Sequence, residues 1–298
     1  MTTLRIGSRG SALARWQAEH VKGRLEAKGH AVSIEIITTT GDRTAGRLES
    51  VGGKGAFLKE IEEALLAGTV DLAVHSLKDV PVELPEGLRL SAIRERADPR
   101  DALVSRPGAT LAQLPAGARI GTTSLRRRAQ ILSARPDLEI ADLRGNVDTR
   151  LRRLADGDFD AIVIATAGIT RLGRGAEITE RLDPGLVLPA PGQGAIALEC
   201  RVGDEAVASA LAPLGDEPTA RAVSAERALL AGLGGGCNVP LGAYAVPEGK
   251  ELWLRALVAS PEGAVVIRAD GRGGGAEALG RRVADELRSR GAADLLRA

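Results

Sequence analysis

Apolar positions in the first half of the chain alternate between two periods. Leu4–Ser8, Asp71–Ser76 and Val32–Thr39, the last rich in β-branched residues, predict strands. Between them, Ala14, Ala18, Val21 and Leu25 recur at helical spacing from Ser11 to a stop at Gly29. Phe57, Ile61 and Leu65 line a second helix ended by Gly68, and Leu88–Arg94 reads as a further strand. The pattern then restarts. Arg119–Thr122 and Leu138–Leu143 are strand candidates, and Leu125, Ala129, Leu132 and Val147, Leu151, Leu154 mark two helices. Ala161–Ala165 is a continuous apolar run, as in a strand buried on both faces, and AIALEC, ending at Cys200, is also strand-like. Such alternation predicts α/β domains, each a sheet covered by helices.

Beyond about Asp216 the pattern changes. A helix over Thr219–Leu233 runs into Gly234, Gly235, Gly236 and Cys237. Three strand-like segments follow, Leu241–Val246, Glu251–Ala259 and Ala264–Ala269. The turns Pro247–Lys250 and Pro261–Gly263 are short enough for antiparallel hairpins. A last helix carries Leu279, Val283 and Leu287, so this end predicts a small α+β domain with an antiparallel three-stranded sheet. ADPR at Ala97–Arg100 and the Pro- and Gly-rich LPAPGQ at Leu188–Gln193 predict crossings between the two α/β units. The expected domains are 1–96 with 194–215, 97–193, and 216–298.

Composition narrows the function. With 298 residues, 44% of them hydrophobic and 27% charged, the chain can bury several cores. No 18-residue apolar run and no signal-like start is evident, so a cytoplasmic protein with no membrane partner is expected. Forty basic and thirty-nine acidic residues nearly cancel. A nucleic-acid partner is therefore disfavoured, and any anion site must be a local cluster. Two distant cysteines and three scattered histidines fit neither a disulfide framework nor a metal site.

Three features carry candidate chemistry. Cys237 sits in GGGCNVPLG, where glycines open space beside the thiol, whereas Cys200 reads as a small buried hydrophobe. Lys78 and Asp79 follow the strand DLAVHS, at the end where open α/β sheets receive ligands, although a solvated ion pair would look the same. His75, within that strand, reads as a satisfied core residue. The segment Gly121–Arg128 places Thr122, Ser124, Arg126 and Arg127 at a helix start after a strand, which suits an anion. Arg144 and Arg150 flank a second such junction, Arg9 follows the first strand, and Arg171 follows the apolar run. Any one of these arginines alone is more readily a solvated helix face than a ligand contact. GGKG at 52–55 lacks the spacing of a phosphate loop.

Six of these segments, in order, resemble the porphobilinogen deaminase (hydroxymethylbilane synthase) family: VGGKGAFLKE at 51–60, HSLKDVP at 75–81, GTTSLRRR at 121–128, LRGNVDTR at 143–150, LPAPGQGA at 188–195, and GGGCNVPLG preceded by AER at 225–227. The resemblance spans nearly the whole chain. It implies two α/β domains like periplasmic binding proteins plus a small α+β domain bearing the cysteine. It implies a transferase that joins porphobilinogen units into a linear tetrapyrrole with release of ammonia, in tetrapyrrole and haem biosynthesis; nothing in the sequence demands more than a monomer. A dipyrromethane cofactor would be held in thioether linkage to Cys237. By the same match Asp79 is the catalytic carboxylate, supported by Lys78. Ser76, Lys78, Asp79, Thr122, Ser124, Arg126, Arg127, Arg144 and Arg150 hold the cofactor. Arg9, Ser11, Gln17, Arg144, Arg150, Arg171 and Gln193 hold the substrate or growing chain. Ala12 and Arg15 depart from the family's usual proline and apolar residue in the first loop. The competing reading is a two-lobed anion sensor without catalysis, which gives no reason for an open Cys237 loop together with Asp79.

Overall fold

The computed structural model describes residues 3–40, 58–234 and 240–297. The chain divides into two compact units, Met1–Ala97 with Ala195–Ala220, and Asp98–Gly194 with Arg221–Ala298.

The first unit is built on strands β1 (Thr3–Ser8), β2 (Ala31–Ile36), β3 (Leu72–Ser76), β4 (Leu88–Ile93) and, returning much later, β10 (Ile196–Arg201). Their order is β2-β1-β3-β10-β4. The first three are parallel, and β10 runs antiparallel between β3 and β4. Side chains alternate across this sheet. Leu72, Val74, Leu198 and Cys200 face helix α1 (Ala12–Glu26), which buries Ala18, Val21 and Leu25 against them. Ala73 faces the other side, where α2 (Lys59–Leu66) buries Ile61 and Leu65. Ser11 caps α1, its Oγ accepting from the Ala14 N–H at 3.3 Å. Asp204 caps α6 (Glu205–Leu211) in the same way.

The second unit repeats the arrangement. Strands β5 (Asp101–Ser105), β6 (Arg119–Gly121), β7 (Glu139–Ala141), β8 (Ala161–Ala165) and β9 (Glu180–Arg181) follow the order β7-β6-β8-β5-β9. Strands β6, β7 and β8 are parallel, and β5 runs antiparallel between β8 and β9. As the uninterrupted apolar run requires, β8 is buried on both faces: Ala161 and Val163 join one core, Ile162 and Ile164 the other. Helices α3 (Leu125–Ala134), α4 (Val147–Ala155) and α5 (Thr166–Arg171) each follow a strand.

Beyond these, α7 (Glu217–Gly232) leads to an antiparallel sheet of β11 (Leu241–Glu248), β12 (Glu251–Ala259) and β13 (Val266–Gly273), then α8 (Ala276–Ser289) and α9 (Ala292–Arg297). One face of the sheet packs on α7 and α8 through Leu229, Leu252, Leu254, Val283 and Leu287. The helices approach closely at Gly280, where a Cβ would lie 2.3 Å from the Ala225 carbonyl oxygen. Within this unit, Leu257 and Ala259 also pack against Ala129 of α3 and Leu188.

Three differences from the sequence expectation have physical causes. DALVS, which the sequence pattern assigns to no element, forms β5, and the acid that opens it is neutralised by distant partners. The last strand covers Val266–Gly273 rather than Ala264–Ala269, since pairing with Leu252–Ala259 carries it through residues of low strand propensity. The two-residue β9 shows no period at all.

Candidate functional site

In the first unit, the carboxyl ends of β1 and β3 lie side by side, and each hands the chain to functional residues. Arg9 follows β1, and Ser11 opens α1. Ser76 ends β3, and Leu77–Asp79 form one 3₁₀ turn, anchored by the Leu77 N–H donating to the Ala195 carbonyl at 3.0 Å. These elements enclose a pocket of about 100 Å3 lined by Arg9, Ser11, Gln17, His75, Ser76 and Asp79 among others. Gln17 is buried, and its Nε2 donates to Ser76 Oγ at 2.9 Å, joining α1 to β3. Lys78 shares the turn, half-buried, but is not among the lining residues.

Of the lining residues, His75 is buried as the sequence suggests, with Nε2 2.9 Å from Glu199 Oε2. Glu62 of α2 is buried close by, and its pKa is raised by burial first and by the charge of Glu199 second. Neither glutamate was singled out by sequence reasoning. The signal was present: an acid inside the strand AIALEC must find a partner in the core.

In the second unit, Thr122 and Ser124 occupy the β6–α3 junction. Ser124 caps α3, its Oγ accepting from the Arg127 N–H at 3.4 Å, while the Ser124 N–H donates to Thr122 Oγ1 at 3.2 Å. Arg126 and Arg127 are not the open forks that their position in a basic run suggests. Both are about 95% buried and converge on Asp101. Arg126 Nη1 donates to Asp101 Oδ2 at 2.7 Å, and Arg127 Nε and Nη2 donate to Oδ1 at 3.0 and 2.8 Å. Burial opposes the Asp101 charge, but the two guanidiniums outweigh it and hold the carboxyl well below the usual range. Arg126 feels the converse, burial lowering its pKa against the pull of Asp101. Gln193 is also buried, its Nε2 donating to Asp101 Oδ1 at 2.9 Å and to the Pro99 carbonyl at 2.7 Å.

Arg144 and Arg150 belong to the β7–α4 junction, both half-buried. Asn146 caps α4, and Arg150 Nε donates to the Gly145 carbonyl at 2.8 Å. Gly145 is required there: its φ is +110°, and a Cβ would lie 2.8 Å from Thr149 Cγ2. Arg171, at the end of α5, donates from Nη2 to the Gly194 carbonyl at 2.7 Å, and burial lowers its pKa to about 10. Cys237 lies outside the described residues, as do 51–57 of the VGGKGAFLKE segment. One further residue escaped sequence reasoning. Glu226 of the AER triplet is fully buried and accepts from the N–H groups of Gly192 and Ala245, at 2.6 and 2.8 Å.

One α/β unit thus carries a carboxylate, an amide and hydroxyls at its strand ends, and the other carries buried guanidiniums beside a strand-to-helix junction. The chain belongs to the porphobilinogen deaminase family: the family's dipyrromethane cofactor-binding domain matches residues 4–209, and its C-terminal domain matches residues 220–289. It is accordingly a transferase of porphyrin biosynthesis. It joins porphobilinogen into hydroxymethylbilane with release of ammonia, on a covalent dipyrromethane primer. Its fold comprises two five-stranded α/β sheets and a separate three-stranded antiparallel sheet near the C-terminus. Nothing favours the sensor reading. Solved structures similar to this chain include the second substrate-binding domain of a putative amino acid ABC transporter from Streptococcus pneumoniae, at 12% identity and TM-score 0.47, covering 71% of this chain and 91% of that one. An ancestral cationic amino acid solute-binding protein aligns at 14% identity and TM-score 0.45, over 71% and 87% of the two chains. The methionine-binding protein MetQ aligns at 14% and 0.44, over 71% and 89%.

Proposed function

We propose that Asp79 is the catalytic carboxylate of this transferase, and that the pocket around it receives porphobilinogen. One observation supports this most directly: Asp79, Arg9, Ser11, Gln17 and Ser76, distant in sequence, line a single pocket. When ammonia leaves porphobilinogen, the remaining azafulvene carries positive charge at its protonated pyrrole nitrogen. An ionised Asp79 stabilises that charge more than it stabilises the neutral substrate, which lowers the barrier. The same carboxylate then helps remove the proton displaced when the new carbon–carbon bond forms. Arg9, Ser11, Gln17, Arg144, Arg150, Arg171 and Gln193 bind the acetate and propionate groups and hydrogen-bond the incoming unit, with Lys78 supporting Asp79.

The donor set fits a dipyrromethane. Two arginines share one aspartate, which leaves net positive charge beside the Thr122 and Ser124 hydroxyls, and the group bears several carboxylates. When bound it supplies the pyrrole carbon to which the first substrate ring is joined. Ser76, Lys78, Asp79, Thr122, Ser124, Arg126, Arg127, Arg144 and Arg150 would hold it, and Cys237 would attach it.

The finer organisation is part of the same proposal. Domains of 1–96 with 194–215, 97–193 and 216–298 act as a cytoplasmic monomer without nucleic-acid partners. Separate apolar clusters in the two α/β sheets and behind the antiparallel sheet support that division. Among the described residues no helix is long and apolar enough to cross a membrane. Asp79→Asn keeps the side-chain shape and removes the charge. The expected result is a kcat lower by about a hundredfold or more with little change in KM. An Asn variant turning over at the wild-type rate contradicts the assignment.

A further inference from the structure

Asp101 is absent from every motif of the chain, yet it is the residue on which the second unit's basic cluster is organised. It opens β5 with no exposed surface and accepts from three side chains at once: Arg126, Arg127 and Gln193. A buried carboxylate in a strand costs several kcal/mol in lost hydration, which hydrophobic residues of similar size would avoid. Folding alone gives no reason to place it there.

The two arginines are held differently. Arg127 is bonded at all three nitrogens, with Nη1 donating to the Val163 carbonyl at 3.0 Å and the others reaching Asp101. Arg126 is bonded at Nη1 alone among the described residues, to Asp101 and to the Leu188 carbonyl, each at 2.7 Å. The Nη2–Nε edge of Arg126 is the face suited to a bidentate carboxylate. Gln130 Nε2 shares the Leu188 carbonyl at 3.1 Å, and the Leu188 N–H returns to Gln130 Oε1 at 2.7 Å, so the backbone beneath Arg126 is fixed as well.

The charges of the cluster can be counted. Two guanidiniums and one carboxylate leave one positive unit in a dry environment. We propose that Asp101 is the positioning residue of this anion site, turning the Arg126 edge toward the ligand and setting the cluster's charge to match one ring carboxylate. Without Asp101, two like charges would lie buried side by side. They would repel, reorient and take up anions indiscriminately. With it, the site is rigid and neutralised by a single acetate or propionate group of a pyrrole. This deepens the proposed role of Arg126 and Arg127 and rests on it.

The test uses the full-length holoenzyme and three readouts: thermal unfolding, KM and kcat for porphobilinogen, and the dipyrromethane-bearing fraction of folded protein by intact mass. Asp101→Asn is expected to raise KM about tenfold or more, the loss of one charge-assisted hydrogen bond, and to lower the cofactor-bearing fraction. Arg126→Gln is expected to do the same. The double variant should be little worse than either single one, because both changes act through one guanidinium. Should the Asn variant fail to fold, Asp101→Glu carries the test: it keeps the charge but displaces it by one methylene, and the same KM rise is expected. A folded Asp101 variant with lowered unfolding temperature but wild-type KM and full cofactor content overturns the proposal, as does a multiplicative double variant. Wild-type behaviour of Arg126→Gln and Arg127→Gln overturns the carboxylate-binding role of the arginines and the proposal with it.

Discussion

His75 and Glu199 form a buried pair across strands β3 and β10, with Nε2 and Oε2 2.9 Å apart, on the α2 face of the sheet. Beside them Glu62 is buried, and its carboxyl lies above the ordinary value of 4.5, through burial first and the Glu199 charge second, with His75 pulling the other way. A carboxyl raised in the folded state contributes its full stability below the unfolded value and loses it as pH rises through the folded one. Glu62→Gln removes that loss. The variant should unfold at a higher temperature than wild type near about pH 8, by about 2–4 °C per kcal/mol recovered, and at nearly the same temperature near about pH 4. Lower stability at both pH values would contradict this reading.

Asp71 has the opposite sign. Burial disfavours its charge, but hydrogen bonds and charge from Arg5, with help from Arg201, bring its pKa below 3.8. Its contribution is present above the unfolded value and lost as pH falls through the folded one. Asp71→Asn should therefore destabilise the protein at neutral pH, with the gap to wild type closing in acid unfolding below about pH 4. A constant gap across the titration would show that the charge is not what matters.

Arg144 and Arg150 flank the β7–α4 junction, where the Gly145 conformation and the Asn146 cap fix the backbone, with one added hydrogen bond from Arg150 Nε to the Gly145 carbonyl. Arg144→Leu and Arg150→Leu should leave thermal unfolding within about 0.5 kcal/mol of wild type, as for surface substitutions. Each should block initiation or extension, visible as missing intermediates in intact-mass ladders. A normal ladder in both variants would remove these arginines from the site.

Gly280 marks the tightest approach of α8 to α7, a Cβ there lying 2.3 Å from the Ala225 carbonyl and 2.7 Å from Ala228 Cβ. Gly280→Ala forces the helices apart. It should cost about 1–3 kcal/mol, as overpacking does, against a helix propensity that favours alanine. Unchanged thermal unfolding would mean that the pair adjusts freely.

Most strands and helices were legible because their periods are long and clean. Ala161–Ala165 is apolar at every position, and the helix through Ala18, Val21 and Leu25 shows a single stripe. The chemistry was legible only where residues cluster in sequence. Ser76 and Asp79 lie three residues apart, and Arg126 and Arg127 are adjacent. Asp101, Glu199, Glu62 and Glu226 were not legible as a set. Asp101, Glu199 and Glu226 are single acids whose partners lie on another element, Glu62 is buried within a run of otherwise solvated acids, and neither case leaves a local pattern. The burial of Arg126 and Arg127 was hidden for the same reason: a triple arginine run looks solvated until its distant aspartate is known.

The most direct measurement is intact-protein mass spectrometry with peptide mapping across Cys237, before and after porphobilinogen is added. Wild-type protein made with a working pyrrole supply should carry a dipyrromethane on Cys237 and gain mass in single pyrrole units. The Asp79→Asn variant should carry little or no extension. An unmodified Cys237 thiol and a mass unchanged by porphobilinogen would contradict the attachment site and the chain-building mechanism together.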